Sequence, residues 1–140
     1  MAGARRFEDL LAWQLASELS ADVFKLTDRP RVARDRKFCE QIEAAAASPS
    51  ANIAEGFGRF SPREFARFLR IARGSLFETR NHVLKARANG YITDEESVGL
   101  LRLQSRATGA VTSLLRYLDS YKGKAPTGWD LPAPNPEPER

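Results

Sequence analysis

Apolar residues recur at steps of three and four positions along most of the chain, and this periodicity constrains the fold more than any other feature. Such steps place apolar side chains on one face of an α-helix, and no segment shows the sustained alternation of a β-strand. The pattern predicts four helices, which run from about Phe7 to Leu26, Arg34 to Phe57, Ser61 to Asn89 and Thr93 to Tyr121. Amphipathic helices joined by short connections predict an all-α, up-down-up-down four-helix bundle.

Local signals mark several helix ends. The third predicted helix begins with Ser61 as a cap, a proline at the first helical position and Glu64 at the third. Residues 93–96 repeat this capping box at the start of the fourth helix. Pro49 stands inside the second helix, where its missing amide hydrogen predicts a kink, or a short break at Ser48.

The length of 140 residues fits one domain. We assign residues 7–121 to the bundle and residues 1–6 to a flexible N-terminus. Residues 122–140 differ in composition, because five prolines follow Gly123 and exclude a helix there. With little apolar mass, this Pro-rich tail is predicted to be disordered.

The chain contains one cysteine, Cys39, and one histidine, His82, and this narrows the function classes. They are too few for an internal disulfide, a His-based metal site or the catalytic sets of most hydrolases. We expect Cys39 to pack as a small hydrophobe and His82 to be structural or solvent-facing. The sequence therefore predicts a protein that is not an enzyme and uses no metal or cofactor.

No targeting or membrane segment is evident in the sequence. No run approaches the roughly 18 apolar residues of a membrane span. Near the N-terminus, Glu8 and Asp9 interrupt what would have to be the apolar part of a secretory signal. These features favour a cytoplasmic protein that has no membrane partner.

Most of the excess of positive over negative charge lies on the third predicted helix. The whole chain has a net charge of +4 and a pI near 9.6, while this helix alone has seven basic residues against Glu64 and Glu78. Arginines on one helix face can contact successive phosphates. The candidate nucleic-acid contacts are Arg63, Arg67, Arg70, Arg73, Arg80, Lys85 and Arg87. A solvated polar face and a site for an acidic protein remain open alternatives.

Four apolar residues fall outside the predicted core faces of their helices. They are Trp13 and Phe24 on the first helix, and Phe77 and Leu84 on the third. A second apolar face on a helix is covered when copies of the chain associate, so these residues form a predicted oligomer interface. Scattered surface apolar residues, which are common, are the alternative.

The second predicted helix has a narrow stripe of polar and small residues. Its members are Gln41, Ala45, Ser48, Asn52 and Glu55. We expect this stripe to form hydrogen bonds with a neighbouring helix rather than to line a site. Glu55 would then need a partner such as an arginine of the third helix, because an unpaired buried carboxylate is costly.

The segment around the second connection resembles a known bacterial family. The residues that carry the resemblance are Gln41-Ile42, Ala46-Ala47-Ser48, the run from Asn52 to Arg59, the run from Phe65 to Glu78, and Gly90-Tyr91-Ile92. They are similar to 23S rRNA-intervening-sequence proteins, a family that includes the accessory variability determinant of diversity-generating retroelements. The resemblance implies a four-helix bundle assembled as a ring, typically a homopentamer, with no catalytic residues.

For the retroelement branch, the resemblance also implies a basic surface that binds nucleic acid and a reverse transcriptase partner. This chain departs from the family pattern where Glu43 and Ala44 replace a basic pair. The expected function is a non-enzymatic oligomeric adaptor that binds RNA or DNA, and a reverse transcriptase, through the basic face of the third helix. The alternative is a self-assembling structural or protein-interaction module without nucleic acid.

Overall fold

The computed structural model describes residues 4–121. A 3₁₀ turn at Phe7–Asp9 precedes five α-helices, and this part of the chain contains no strand. The helices are α1 (Leu11–Thr27), α2 (Pro30–Ala33), α3 (Arg36–Gly58), α4 (Pro62–Ala88) and α5 (Asp94–Asp119). The all-helical prediction is confirmed. The predicted Pro-rich tail, 122–140, and part of the predicted flexible N-terminus lie outside the described residues.

The four long helices occupy the corners of a bundle. Helix α1 packs against α3 and α5, and α4 packs against the same two helices. The diagonal pairs, α1 with α4 and α3 with α5, do not contact each other within the described chain. Because each long helix is joined to its neighbour by a short connection, successive helices run in opposite directions, as predicted.

The core is built from the apolar faces that the helical periodicity predicts. Its largest fully buried aliphatic and aromatic side chains include Leu19 of α1, Ile42 and Ile53 of α3, Phe65, Leu69 and Leu76 of α4, and Leu114 of α5. Burying a side chain of this size stabilises the fold by about 1.5–3 kcal/mol relative to leaving it exposed. These faces leave the opposite side of α4 free to carry charge.

Helices α3 and α4 approach each other closely at Gly56. A Cβ atom added to Gly56 would lie 2.7 Å from Cβ of Phe68 and 3.0 Å from Cδ1 of Phe65. Contacts of less than 3.0 Å between such carbons do not occur in folded proteins. Only glycine therefore allows the end of α3 to rest on the start of α4 at this separation.

The first predicted helix begins four residues later than expected. Asp9 accepts a hydrogen bond from the backbone of Arg6 at 3.2 Å, and residues 7–9 form the 3₁₀ turn instead of a helical turn. Leu10 then takes an extended conformation, with φ −78° and ψ 128°, before α1 starts at Leu11. This local capping by Asp9 outweighs the apolar pattern.

The second predicted helix differs at both its start and its middle. Residues 30–33 form the separate short helix α2, and Asp35 caps α3 by accepting from the backbone of Phe38 at 3.3 Å. The break predicted at Ser48 is wrong, since α3 continues through Pro49. Proline inside a helix costs about 3 kcal/mol. Pro49 is itself buried, and α3 has further buried residues before and after it, so packing against the core keeps the helix continuous.

The predicted stop at Asn89-Gly90 is confirmed and has a defined geometry. Gly90 has a φ of +73°, a left-handed conformation that favours glycine. The backbone of Tyr91 donates to the carbonyl of Ala86 at 2.9 Å, which closes α4 with a Schellman-type cap. Arg31 donates to the carbonyl of Gly90 at 2.8 Å, so the turn is also tied to α2.

A group of polar side chains joins the two connections at this end of the bundle. We call it the polar clasp: Arg29, Arg31, Asp35, Tyr91 and Glu96. The Tyr91 hydroxyl donates to Asp35 at 2.5 Å, and Arg29 forms an ion pair with Glu96. The guanidinium of Arg29 and the backbone amide of Thr93 lower the pKa of Glu96 to about 2. The clasp links segments that are about 60 residues apart in sequence.

Candidate nucleic-acid interface

The outward face of α4 begins with three exposed arginines, Arg63, Arg67 and Arg70. Their spacing of four and three residues places them on one side of the helix, over about 10 Å of its length. None of the three forms an ion pair with a carboxylate among residues 4–121. We call them the outer arginines. Their positive charge is available to an external anion.

The ring of Phe68 fixes one of these arginines along the surface. The guanidinium carbon of Arg67 lies 4.6 Å from the centre of the ring, and that of Arg59 lies 5.2 Å from it. Arg59 is also within 3.2 Å of Glu55 and 3.7 Å of Glu64, so its charge is locally balanced. The contact with Phe68 limits the freedom of Arg67 before any ligand binds.

Three further predicted contacts, Arg73, Arg80 and Arg87, lie on the flank of α4 that faces α5. Arg80 donates to Oε1 of Gln104 at 3.5 Å, and Arg87 donates to Asp94 at 2.8 Å. Both groups therefore already have partners on or beside α5. Arg73 forms no ion pair with a described carboxylate and is half-buried. The seven predicted basic residues thus do not form one set.

Lys85, the remaining predicted contact, is exposed on the C-terminal half of α4. It lies 15 residues beyond Arg70, or about 22 Å along the helix. A short ligand that touches the outer arginines would not reach it. The structure therefore places Arg63, Arg67 and Arg70 together and separates the other four from them.

A comparison with protein families gives the broader context for this surface. The sequence profile of the 23S rRNA-intervening sequence protein family matches residues 8–111, which run from the 3₁₀ turn into α5. The chain belongs to this family. No curated protein gives a significant match to it.

Three of the four residues that the sequence places in an oligomer interface of this intervening sequence protein are exposed in the single chain. Phe24 is 46% exposed, Phe77 is 55% exposed and Leu84 is 44% exposed. Trp13 is the exception, because it is half-buried against the core and its ring meets that of Phe7 at 5.4 Å. The 3₁₀ turn brings Phe7 back over α1, so Trp13 packs within its own chain.

The polar stripe on α3 contacts the neighbouring helix, as expected, at its middle. Ser75 of α4 donates to the hydroxyl of Ser48 at 2.8 Å, and the amide of Asn52 donates to the same hydroxyl at 2.9 Å. Glu55 does not pair with an arginine of α4. It is exposed and pairs with Arg59, one turn further along the sequence.

His82 of the intervening sequence protein is buried rather than solvent-facing. Its Nε2 lies 3.6 Å from Glu78, and its Nδ1 has no hydrogen-bond partner among the described residues. Cys39 is also buried, and its thiol donates to the carbonyl of Val32 at 3.3 Å. Burial raises the pKa of this thiol, and nearby carboxylates, Glu43 first among them, act in the same direction.

Sequence reasoning missed two interactions at the site. Gln104 of α5 is fully buried and donates to the carbonyl of Leu76 at 3.1 Å while accepting from Arg80. The pairing of Arg59 with Glu55 was also missed, although the spacing of four residues is a typical helical signal. Over residues 4–121, no cluster of histidine, cysteine and acidic residues could hold a metal ion, and no helix is long and apolar enough to cross a membrane.

Proposed function

We propose that this chain is a non-enzymatic, cytoplasmic adaptor that binds nucleic acid through the outer arginines of α4. The observation that carries the proposal is the presence of three exposed guanidinium groups on one helix face without a carboxylate partner in the described chain. RNA and DNA are the polyanions that such a row of guanidinium groups fits best, because their phosphate groups follow one another along the strand.

The chemistry of the site favours backbone contacts over base recognition. Each guanidinium can donate two hydrogen bonds to one phosphate, and the row can follow successive phosphates of a strand. An arginine can also pair with a guanine edge in the major groove, but arginines that follow successive phosphates contact the backbone and not the bases. The binding is therefore expected to be independent of sequence and strongly dependent on salt concentration.

We also propose that the adaptor is a ring-shaped homo-oligomer, with five subunits favoured, and that a reverse transcriptase is its protein partner. The exposed apolar residues Phe24, Phe77 and Leu84 support self-association, since single chains would leave them in water. The ring and the reverse transcriptase follow from the family resemblance. In a ring, the outer arginines would repeat around the axis and increase the avidity for a long strand.

The test replaces Arg63, Arg67 and Arg70 with alanine and measures binding to labelled RNA, single-stranded DNA and duplex DNA. A matched control replaces Arg36, Arg102 and Arg116 with alanine; these arginines are also exposed, and their replacement removes the same amount of charge from other parts of the surface. The logarithm of the affinity falls as the logarithm of the salt concentration rises, and the loss of three phosphate contacts makes this fall less steep by about 2 to 3 units of slope.

The control variant should keep the wild-type slope. Equal binding curves for the two triple variants would refute a role for the outer arginines. The exposed apolar residues favour a second candidate function, a self-assembling module without nucleic acid. That candidate is supported if the wild-type chain associates with itself but binds none of the three nucleic acids at low salt.

A further inference from the structure

Two exposed apolar surfaces lie on opposite sides of the bundle. Phe24 is on α1, whereas Phe77 and Leu84 are on α4, and these two helices occupy diagonal corners. The two surfaces therefore face away from each other in one molecule. A single contact between two copies can cover both kinds of surface only if each copy uses a different one.

The surface around Phe24 is a groove with excess negative charge. We call it the α1 groove. It lies between α1 and α3 and is lined by Phe24, Ala21, Lys25, Thr27, Asp28 and Glu43. Lys25 already lies 4.0 Å from Asp22, whereas Asp28 and Glu43 have no cation partner in the described chain. The groove therefore combines an aromatic ring with two unpaired carboxylates.

The surface around Phe77 has the opposite charge. We call it the α4 patch: Arg73, Phe77, Arg80 and Leu84, which lie at steps of three and four residues on one flank of the helix. Arg73 forms no ion pair with any carboxylate of residues 4–121, and Arg80 donates there to the neutral amide of Gln104 and not to a carboxylate. The α4 patch therefore combines exposed apolar groups with two uncompensated positive charges.

We propose that the α1 groove of one copy receives the α4 patch of the next copy. This pairing covers apolar surface on both sides and places arginines against Asp28 and Glu43. A contact between two α4 patches would bring arginines together, and a contact between two grooves would bring carboxylates together. Head-to-tail contacts of this kind close into rings or continue as filaments, whereas like-to-like contacts give dimers.

This inference rests on the self-association part of the proposed function and specifies its geometry. It uses residues 73–84 of α4, which follow the outer arginines along the helix and include none of them. The two roles of α4 are therefore separable by mutation. Replacement of the outer arginines should reduce nucleic-acid binding and leave the molecular mass in solution unchanged.

The test uses two variants, Phe24→Asp and Phe77→Asp, and measures mass by analytical ultracentrifugation at micromolar concentration. The wild-type chain should be larger than 15.6 kDa, and each variant alone should sediment as a monomer. An equimolar mixture should form a complex of twice the chain mass, because each variant retains the half that the other lacks. If the interface instead joined two identical surfaces, mixing the two monomeric variants would not be expected to form this dimer.

Val98→Asp provides the control, since Val98 of α5 is 52% exposed and belongs to neither surface. It should keep the wild-type mass, and circular dichroism should show that all variants are folded. A monomeric wild-type chain, a variant that alone keeps the wild-type mass, or a mixture of monomers only would refute the proposal.

A second pair of variants tests the charges independently. Glu43→Arg and Arg73→Glu should each lower the mass, and the two changes in one chain should restore it. If the double variant is as dissociated as the single ones, the proposed pairing is refuted. That result would leave nucleic-acid binding by the outer arginines unaffected. Failure of the proposed subunit contact is therefore distinguishable from failure of the proposed nucleic-acid binding.

Discussion

Replacement of Gly56 by alanine should destabilise the bundle, although alanine is the better helix former. In an open helical position, the change from glycine to alanine stabilises by about 1 kcal/mol. At Gly56 the new methyl group would lie 2.7 Å from Cβ of Phe68, an atom fixed directly to the backbone of α4. Helices α3 and α4 must therefore move apart.

Overpacking of this kind costs up to about 3 kcal/mol, and the helical preference of alanine returns about 1 kcal/mol. We expect the free energy of unfolding to fall by about 2 kcal/mol, which lowers the melting temperature by on the order of 8 °C for a domain of this size. The measurement is urea unfolding followed by circular dichroism, at a fixed protein concentration because self-association adds stability.

The matched control is Gly74→Ala, in the exposed middle of α4. No atom lies within 4 Å of the position that its Cβ would take, so the same substitution should stabilise by about 1 kcal/mol. The same substitution should therefore change the stability in opposite directions at Gly56 and at Gly74. A Gly56→Ala variant as stable as the wild type would show that the α3–α4 separation adjusts freely, and would refute this prediction.

Two further predictions concern ionisable groups. Because Arg29 lowers the pKa of Glu96 from 4.5 to about 2, their interaction is fully present above pH 4.5 and is lost as the pH falls toward 2. Glu96→Gln should therefore lower the urea midpoint of unfolding at pH 7. Between pH 4.5 and 2, the midpoint of this variant should fall less than that of the wild type. Glu95→Gln, at an exposed position that has no ion pair within residues 4–121, should keep the wild-type pH dependence. Burial and nearby carboxylates raise the pKa of Cys39, so a thiol reagent should label it slowly in the native protein and rapidly in denaturant, and equal rates would contradict its buried position.

Sequence patterns predicted the parts of the fold that depend on neighbouring residues. The caps at Ser61 and Thr93 and the glycine stop at Gly90 appear where expected, since each depends on hydrogen bonds within a few residues. The start of α1 was misplaced because Asp9 forms a competing local turn. That one error also placed Trp13 on the outside, since it hid the contact with Phe7.

The remaining features depend on which residues meet across the bundle. The polar clasp and the contact of Gly56 with Phe68 join separate helices and connections, and no local pattern reveals them. The same limit applies to the site. A helical wheel groups the basic residues of α4 by direction alone, whereas the division into outer arginines and the flank depends on where α5 lies.

The position of the polar clasp gives the bundle two unlike ends. The clasp fastens the end where α1, α3, α4 and α5 meet their connecting segments 28–35 and 89–93. At the other end, the start of α4 lies beside the end of α5, with Arg63, Arg70 and Asp119 around one cleft. A fusion partner attached directly after α5 would therefore lie near the basic face and compete with a ligand. A label placed in segment 89–93 would be about 40 Å away, at the distance set by the length of α4.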